Sequence, residues 1–371
     1  MKYYSLGPIL KYKCLYNFIF GERSNGKSYA CLLYGLERYL KQGYEIAVIR
    51  RHRENFKSKR GASMFNNLVK NEKGENVVKK LTHGEYDRIT YYAGRWFLAK
   101  WDEKLQRAIA APNPFAYSFA LTEMESDKST SYPDIRTIIF DEVISRDGYI
   151  NNEWIYFRNV CSTIIRNRGP EDGFKIFMLG NTVNKFCPYF AEMHLKNIQK
   201  MKPGDIDIYR FGNNGLTVAV EYAEPSARAG KKKSDVFFDF DDSSSAQMIT
   251  RGAWEIGTYP HNMTKYEKKD ILFMYFIEWE GNLLQCEIVS KENRLFTFIH
   301  IKTTELQDPD RDILFSIDYH QKLNCFRNIA NPATKLQKKI WWFFASDNVY
   351  YQDNEVGEIV NNYLNWCRQN R

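Results

Sequence analysis

The 371-residue sequence has no uninterrupted apolar run approaching the roughly 18 residues that a membrane-spanning helix needs. That excludes an ordinary helical membrane protein. The opening Met1-Lys2-Tyr3-Tyr4-Ser5 lacks the apolar stretch of a secretory signal, so a cytosolic protein is expected. Cysteine is sparse and scattered, with seven residues and no C-x-x-C pair, and the six histidines do not cluster at metal-ligand spacing. A disulfide framework and a structural zinc site are therefore not expected, and the cysteines read as reduced, mostly buried thiols. Internal repeats and low-complexity tracts are also missing. What is present is apolar and aromatic mass, 44% and 16% of residues, enough for substantial cores. Length alone suggests two or three domains. The formal net charge is +8. Residues 268–371 are slightly acidic, so the positive excess lies in the N-terminal two thirds. A polyanionic partner or a basic solvated surface would each account for it.

Gly21-Glu22-Arg23-Ser24-Asn25-Gly26-Lys27-Ser28 fits the P-loop pattern G-x-x-x-x-G-K-[ST] without a mismatch. Residues 16–20 read as a strand entering it and residues 29–40 as a helix leaving it. Gly21 and Gly26 allow the chain to curl so that successive N–H groups point at phosphate oxygens. The helix start adds partial positive charge. In this reading Lys27 reaches the β- and γ-phosphates of ATP and Ser28 sits on Mg2+. A glycine turn before an ordinary helix is the bland alternative.

Further along, residues 45–50 read as a second strand that runs into Arg50, Arg51, His52 and Arg53. Residues 88–100 alternate and bend at Ala93-Gly94, as a hairpin does. Short strands are expected at 116–121 and 137–140. A helix is expected at 153–165, with Trp154, Phe157, Val160, Cys161 and Ile164 on one face. Another strand at 175–179 ends in Gly180-Asn181-Thr182. Strands alternating with helices predict an α/β fold with a mainly parallel sheet. The pattern then turns antiparallel at 206–222, and residues 224–262 have linker composition. Strands at 272–278, 283–289 and 295–301, followed by helices near 334–344 and 356–368, predict a small α+β domain. The expected division is 1–222, a linker at 223–265, and 266–371.

A P-loop alone binds phosphate; hydrolysis also needs a carboxylate for the metal and a base for water. Ile138-Ile139-Phe140-Asp141-Glu142 offers both at an apolar strand end. Asp141 is the candidate Mg2+ ligand and Glu142 the candidate general base. A solvated strand end would carry the same pair. The order and spacing fit ATPases with an additional strand between the two motifs. Asn181 is placed to contact the lytic water or phosphate, or else belongs to a plain turn. Arg23 lies in the loop and can approach phosphates of its own subunit. Arg166-Asn167-Arg168 closes the 153–165 helix. An arginine there either projects onto a neighbour's ATP or complements the helix dipole.

Taken together, these residues resemble the DNA-packaging (encapsidation) ATPases of small short-tailed phages of the Salasvirus type, which are related to large terminases. The resemblance rests on Gly26-Lys27-Ser28-Tyr29-Ala30, Arg50-Arg51, Lys128 to Pro133, Ile139 to Glu142, Arg166 to Arg168, and Asn181 followed by Pro188-Tyr189-Phe190. It implies an additional-strand P-loop ATPase domain, a linker and a C-terminal RNase H-like domain. It further implies a pentameric ring that drives double-stranded DNA through the portal, or connector, of an empty prohead in the host cytoplasm. Some members of the family also use a structural RNA on the prohead. On the matching motifs Arg166 would be a trans-acting arginine finger and Lys128 a second trans-acting cation. Arg53 stands where the family carries a basic residue after its arginine pair. Glu278 and Glu280 are too few for a two-metal nuclease, so no nuclease activity is expected. Residues 59–85 and the stretch near Lys231 do not match the family clearly. Two other readings remain open on sequence: a helicase or other nucleic-acid-stimulated ring ATPase, and a prohead- or RNA-binding assembly protein whose nucleotide is structural.

Overall fold

The computed structural model describes residues 4–123, 130–146, 148–150, 152–184, 186–212, 215–225, 254, 256–262, 264–318 and 320–370. The chain divides into two compact units, Met1–Trp254 and Glu255–Arg371.

The first unit opens with α1 (Gly7–Leu10), β1 (Tyr16–Gly21), α2 (Lys27–Gln42) and β2 (Glu45–Arg50). Short helices α3 (Lys59–Ser63), α4 (Asn66–Val69) and α5 (Val77–Leu81) precede the meander β3 (Arg88–Tyr92), β4 (Arg95–Asp102) and β5 (Arg107–Ala110). There follow β6 (Ala116–Ala120), β7 (Ile135–Asp141), α6 (Glu153–Ile165), β8 (Lys175–Asn181), α7 (Pro188–Glu192), β9 (Ile206–Phe211) and β10 (Leu216–Tyr222). They build a ten-stranded sheet ordered β3-β4-β6-β2-β7-β8-β1-β10-β9, with β5 on β4. From β6 to β10 every neighbouring pair is parallel. β8 therefore lies between the P-loop strand β1 and the acidic strand β7, which is the additional-strand order expected from motif spacing.

The central strands are buried on both faces, which is why they read as continuous apolar runs rather than alternating ones. Phe157, Val160, Cys161 and Ile164 are the buried stripe of α6. Each large apolar side chain so buried contributes about 1.5–3 kcal/mol. The antiparallel hairpin expected at 206–222 is present. β10 pairs in parallel with β1 and so extends the same sheet.

The second unit contains β11 (Ile271–Trp279), β12 (Asn282–Lys291), β13 (Arg294–Ile301), β14 (Leu314–Ser316), β15 (Cys325–Phe326), α8 (Lys335–Ala345), β16 (Val349–Tyr351) and α9 (Asn354–Gln369). Its sheet is ordered β15-β14-β11-β12-β13-β16. β11 to β13 form an antiparallel meander, while β14 pairs in parallel with β11 and β15 in parallel with β14. Thr334 caps α8 by accepting from the Gln337 N–H, and Asp353 caps α9 by accepting from the Val356 N–H. All seven cysteines are free, and all but Cys325 are buried. No helix among the described residues is long and apolar enough to cross a membrane.

Candidate nucleotide site

β1 delivers the loop and α2 leaves it. Gly26, at the helix N-cap, has φ 95°, a left-handed value that glycine adopts without strain. Ser24 also has positive φ, at 60°. The result is a tight curl over the helix start. Lys27 folds back into this curl: its ammonium donates to the carbonyls of Gly21 (3.3 Å) and Glu22 (2.7 Å), to Asn25 Oδ1 (3.1 Å) and to Asn181 Oδ1 (3.4 Å). Burial pulls its pKa down to about 8 against the opposing pull of Asp141.

The acidic strand tip meets the loop. Ser28 Oγ donates to Asp141 Oδ1 at 3.1 Å, joining α2 to the end of β7. Glu142 follows in a left-handed conformation, φ 63°, which is costly for a residue with a side chain. Its carboxylate is half exposed and paired with Arg50 Nη1. The same guanidinium reaches Asp141 Oδ2 at 2.7 Å. Burial opposes the charge on Arg50, but the two carboxylates outweigh it and raise its pKa. Ser24 to Ser28, Arg50, Asp141, Glu142, Gly180 and Asn181 all line one cleft of about 900 Å³. Lys27, Ser28, Asp141, Glu142 and Asn181, separated by up to 154 positions in the chain, are thus brought to one place.

The backbone of Glu142 is held from behind. Arg51 donates to the carbonyls of Glu142 and Val143 and pairs with Glu153 Oε2 through Nε at 2.9 Å. Glu153 also accepts from the Tyr189 hydroxyl at 2.9 Å and from the Ile150 N–H at 2.9 Å. Arg51 and Glu153 are both buried. Sequence reasoning noted Arg50 and Arg51 only as a family motif and missed what they do. The signal was the strand end: Ile49 pairs with Phe140, which puts Arg50 beside Asp141, but that needs the sheet order.

Other candidates lie apart from the cleft. Arg23 is exposed and does not line it. Arg168 is spent within its own subunit. It donates to the carbonyls of Tyr132 (2.9 Å), Pro133 (2.5 Å) and Ile165 (2.9 Å), and also to that of Ile164, and it covers the Phe174 ring at 4.9 Å. These bonds fix residues 166–168 near the start of β7. Asp141 stands at the other end of that seven-residue strand, about 20 Å away at ~3.3 Å per residue. Arg166 is exposed there and does not line its own subunit's cleft. Arg53 is exposed and paired with Glu123 at 2.7 Å. Lys128 and Lys231 lie outside the described residues. In the second unit Glu278 Oε2 lies 3.0 Å from His320 Nε2, and burial raises the Glu280 pKa to about 7. Among the described residues no group of three or more His, Cys, Asp or Glu is placed to hold a metal.

The donor set at the strand tip fits Mg2+. A hydroxyl and one carboxylate, 3.1 Å apart on the wall of the cleft, leave the remaining positions to water and phosphate oxygens, which is how that ion is commonly held.

Comparison with known proteins agrees with the arrangement. The chain is 29% identical over 196 residues to a DNA packaging protein of Bacillus phage phi29, covering 52% of this chain and 50% of that one. A DNA packaging protein of Bacillus phage B103 is 31% identical over 186 residues, covering 49% of each. The matched part thus spans about half the length of these curated relatives. The solved bacteriophage Phi-29 viral genome packaging motor assembly shares the fold over 100% of this chain and 99% of that one, with TM-score 0.55 and 18% identity. Residues 1–209, more than half of the sequence, match the Podovirus DNA encapsidation protein (Gp16) family, and the chain belongs to that family.

Proposed function

We propose that this protein is an ATP-driven motor that translocates double-stranded DNA during phage genome packaging. The observation that carries the reading is the Ser28–Asp141 hydrogen bond, which joins the phosphate loop to the acidic strand tip beside Glu142 in one cleft. In this role the loop N–H groups and the ammonium of Lys27 bind the phosphates. Lys27 gives up its loop carbonyls to do so. Ser28 and Asp141 would hold Mg2+, which would supply positive charge against the negative charge of the phosphates. Glu142 accepts the proton of the attacking water, so Arg50 must release or re-aim its carboxylate before the step. Asn181 is proposed to sense a lytic water or the γ-phosphate, a role its hydrogen bond with Lys27 supports.

Arg166 acts on the neighbouring subunit's ATP. Its place at the far end of β7 and the engagement of Arg168 with its own subunit support that division of labour. Lys128 is proposed as a second cation at the same interface. Arg23, exposed at the loop, is proposed to approach the phosphates of its own subunit once they are bound. Coupling between subunits requires a ring, taken as a pentamer, mounted on the prohead portal and, where the prohead carries one, its structural RNA. DNA contacts are to phosphate, since a motor must accept every sequence. The second unit is proposed to be a vestigial RNase H-like domain without nuclease activity. An antiparallel three-strand meander extended by parallel strands beside its first strand supports the fold.

The test is Glu142→Gln. The variant is expected to bind ATP with Mg2+ as tightly as the parent and to lose turnover by about 10²-fold or more. Unchanged turnover would remove Glu142 as base.

A further inference from the structure

The helix that begins at Lys27 also carries Tyr34 and Arg38. From them a row of alternating rings and guanidiniums leads to the turn at Arg166. The Arg38 guanidinium carbon lies 5.6 Å from the centroid of the Tyr34 ring and 4.8 Å from that of Tyr44. Arg136 on β7 lies 5.6 Å from the same Tyr44 ring and 5.2 Å from Phe174. Arg168, just past α6, lies 4.9 Å from Phe174. Guanidiniums at these distances are attracted by the ring faces.

Backbone oxygens complete the row. Arg38 donates to the carbonyls of Arg136 (3.3 Å) and Gly173 (2.5 Å) and to the Thr137 hydroxyl (2.9 Å). Arg136 donates to the carbonyls of Asp172 (3.0 Å), Pro133 (2.6 Å) and Ile135 (3.1 Å). The Pro133 carbonyl is shared, since Arg168 also donates to it. None of these acceptors is a carboxylate. Burial and the Arg136 charge both lower the Arg168 pKa. Rings and carbonyls thus hold together three like charges that would otherwise move apart.

The row ends on a strained turn. Arg166 has φ 28° and Asn167 φ 53°, two successive side-chain-bearing residues in the left-handed region. Such a turn persists only where its surroundings fix it. Arg168 ties it to the end of α6 at the Ile165 carbonyl and to the approach to β7 at those of Tyr132 and Pro133. Tyr44, Arg136 and Phe174 do not line the nucleotide cleft.

We propose that Tyr44, Arg136 and Phe174 are positioning residues for Arg166. Through Arg168 they hold the 166–167 turn so that Arg166 is presented to the ATP of the neighbouring subunit, and through Arg38 they tie that turn to the helix that carries Lys27. This rests on the trans-acting role of Arg166 proposed above and adds what sets its place.

The test is a double-mutant cycle on the full-length protein assembled on proheads with DNA, read as ATP turnover. Arg166→Ala is expected to lower turnover by about 10³-fold or more. Tyr44→Leu with Phe174→Leu removes both rings and keeps apolar bulk. That variant is expected to bind ATP with Mg2+ as the parent does, by calorimetry on the unassembled chain, yet to turn over about 10²-fold more slowly in the motor. Added to Arg166→Ala, the same two changes should cost nothing further, because a misplaced finger and an absent one are equivalent. Tyr44→Phe keeps the ring and should turn over as the parent does. Should Phe174→Leu prevent folding, Tyr44→Leu alone, at a half-buried position, carries the same cycle. Turnover by the ring variants equal to the parent's, or a loss that adds in full to that of Arg166→Ala, would overturn the positioning role alone. An Arg166→Ala motor with normal turnover would sink the trans-acting reading first and the positioning role with it.

Discussion

Glu142 shows how much of this site is decided one residue at a time. Its positive φ is unfavourable for a side-chain-bearing residue, and Arg51 braces that conformation by donating to the carbonyls of Glu142 and Val143. Arg50 meanwhile holds the carboxylate. Two adjacent arginines thus divide the work, one on the backbone and one on the side chain. A different residue in the same sheet sets a pH dependence. Glu221 on β10 is buried, accepts from the Tyr4 hydroxyl at 2.6 Å, and burial raises its pKa from 4.5 to about 7. Between those values the folded chain holds a proton that the unfolded chain has lost, so this group's effect on stability worsens as pH rises from 4.5 to 7 and is then constant. Glu221→Gln removes that slope. Urea midpoints measured across this range should show the variant gaining on the parent with rising pH, the gain levelling above pH 7. A difference independent of pH would contradict the assignment.

At the scale of elements, α6 runs from the residues that brace the acidic strand tip to the candidate finger. Its first residue, Glu153, is locked to Arg51 and Tyr189, and its C-terminal end carries Arg166. Glu153→Ala would leave the Arg51 guanidinium buried without its carboxylate, an arrangement that typically costs about 3–5 kcal/mol. Chemical denaturation should show a loss of that order, and a loss under about 1 kcal/mol would mean the pair is not structural. The elements that were legible in the sequence are those with a local signal. The loop and its flanking strand and helix carry a motif, α6 carries a 3.6-residue stripe, and the bend of the β3–β4 hairpin is marked by Ala93-Gly94. α3 to α5 were not legible, because helices of four or five residues carry too short a pattern to read and settle only by burying residues such as Phe65, Leu68 and Val78 in the core that holds Trp96 and Phe115. β14, β15 and β16 are two or three residues long and exist through their sheet partners. The site divides in the same way. Lys27, Ser28, Asp141, Glu142 and Asn181 are readable from pattern, whereas Arg50 and Arg51 depend on which strands and helices become neighbours.

For the whole molecule, the proposed action of Arg166 on a neighbouring subunit's ATP can be tested only in an assembly. Mixing Arg166→Ala subunits with Glu142→Gln subunits should restore part of the ATP turnover that each lacks alone, since one supplies the base and the other the finger. No recovery at any mixing ratio would count against action across the interface. The central claim is that one cleft, closed by Ser28 and Asp141, converts ATP cleavage into movement of DNA. Its most direct measurement is nuclease protection of duplex DNA by the full-length protein mixed with empty proheads. The account predicts protected DNA of genome length with ATP and Mg2+, and none with Lys27→Ala or Glu142→Gln; protection by either variant equal to the parent's, or none by the parent in fully assembled motors, would contradict it.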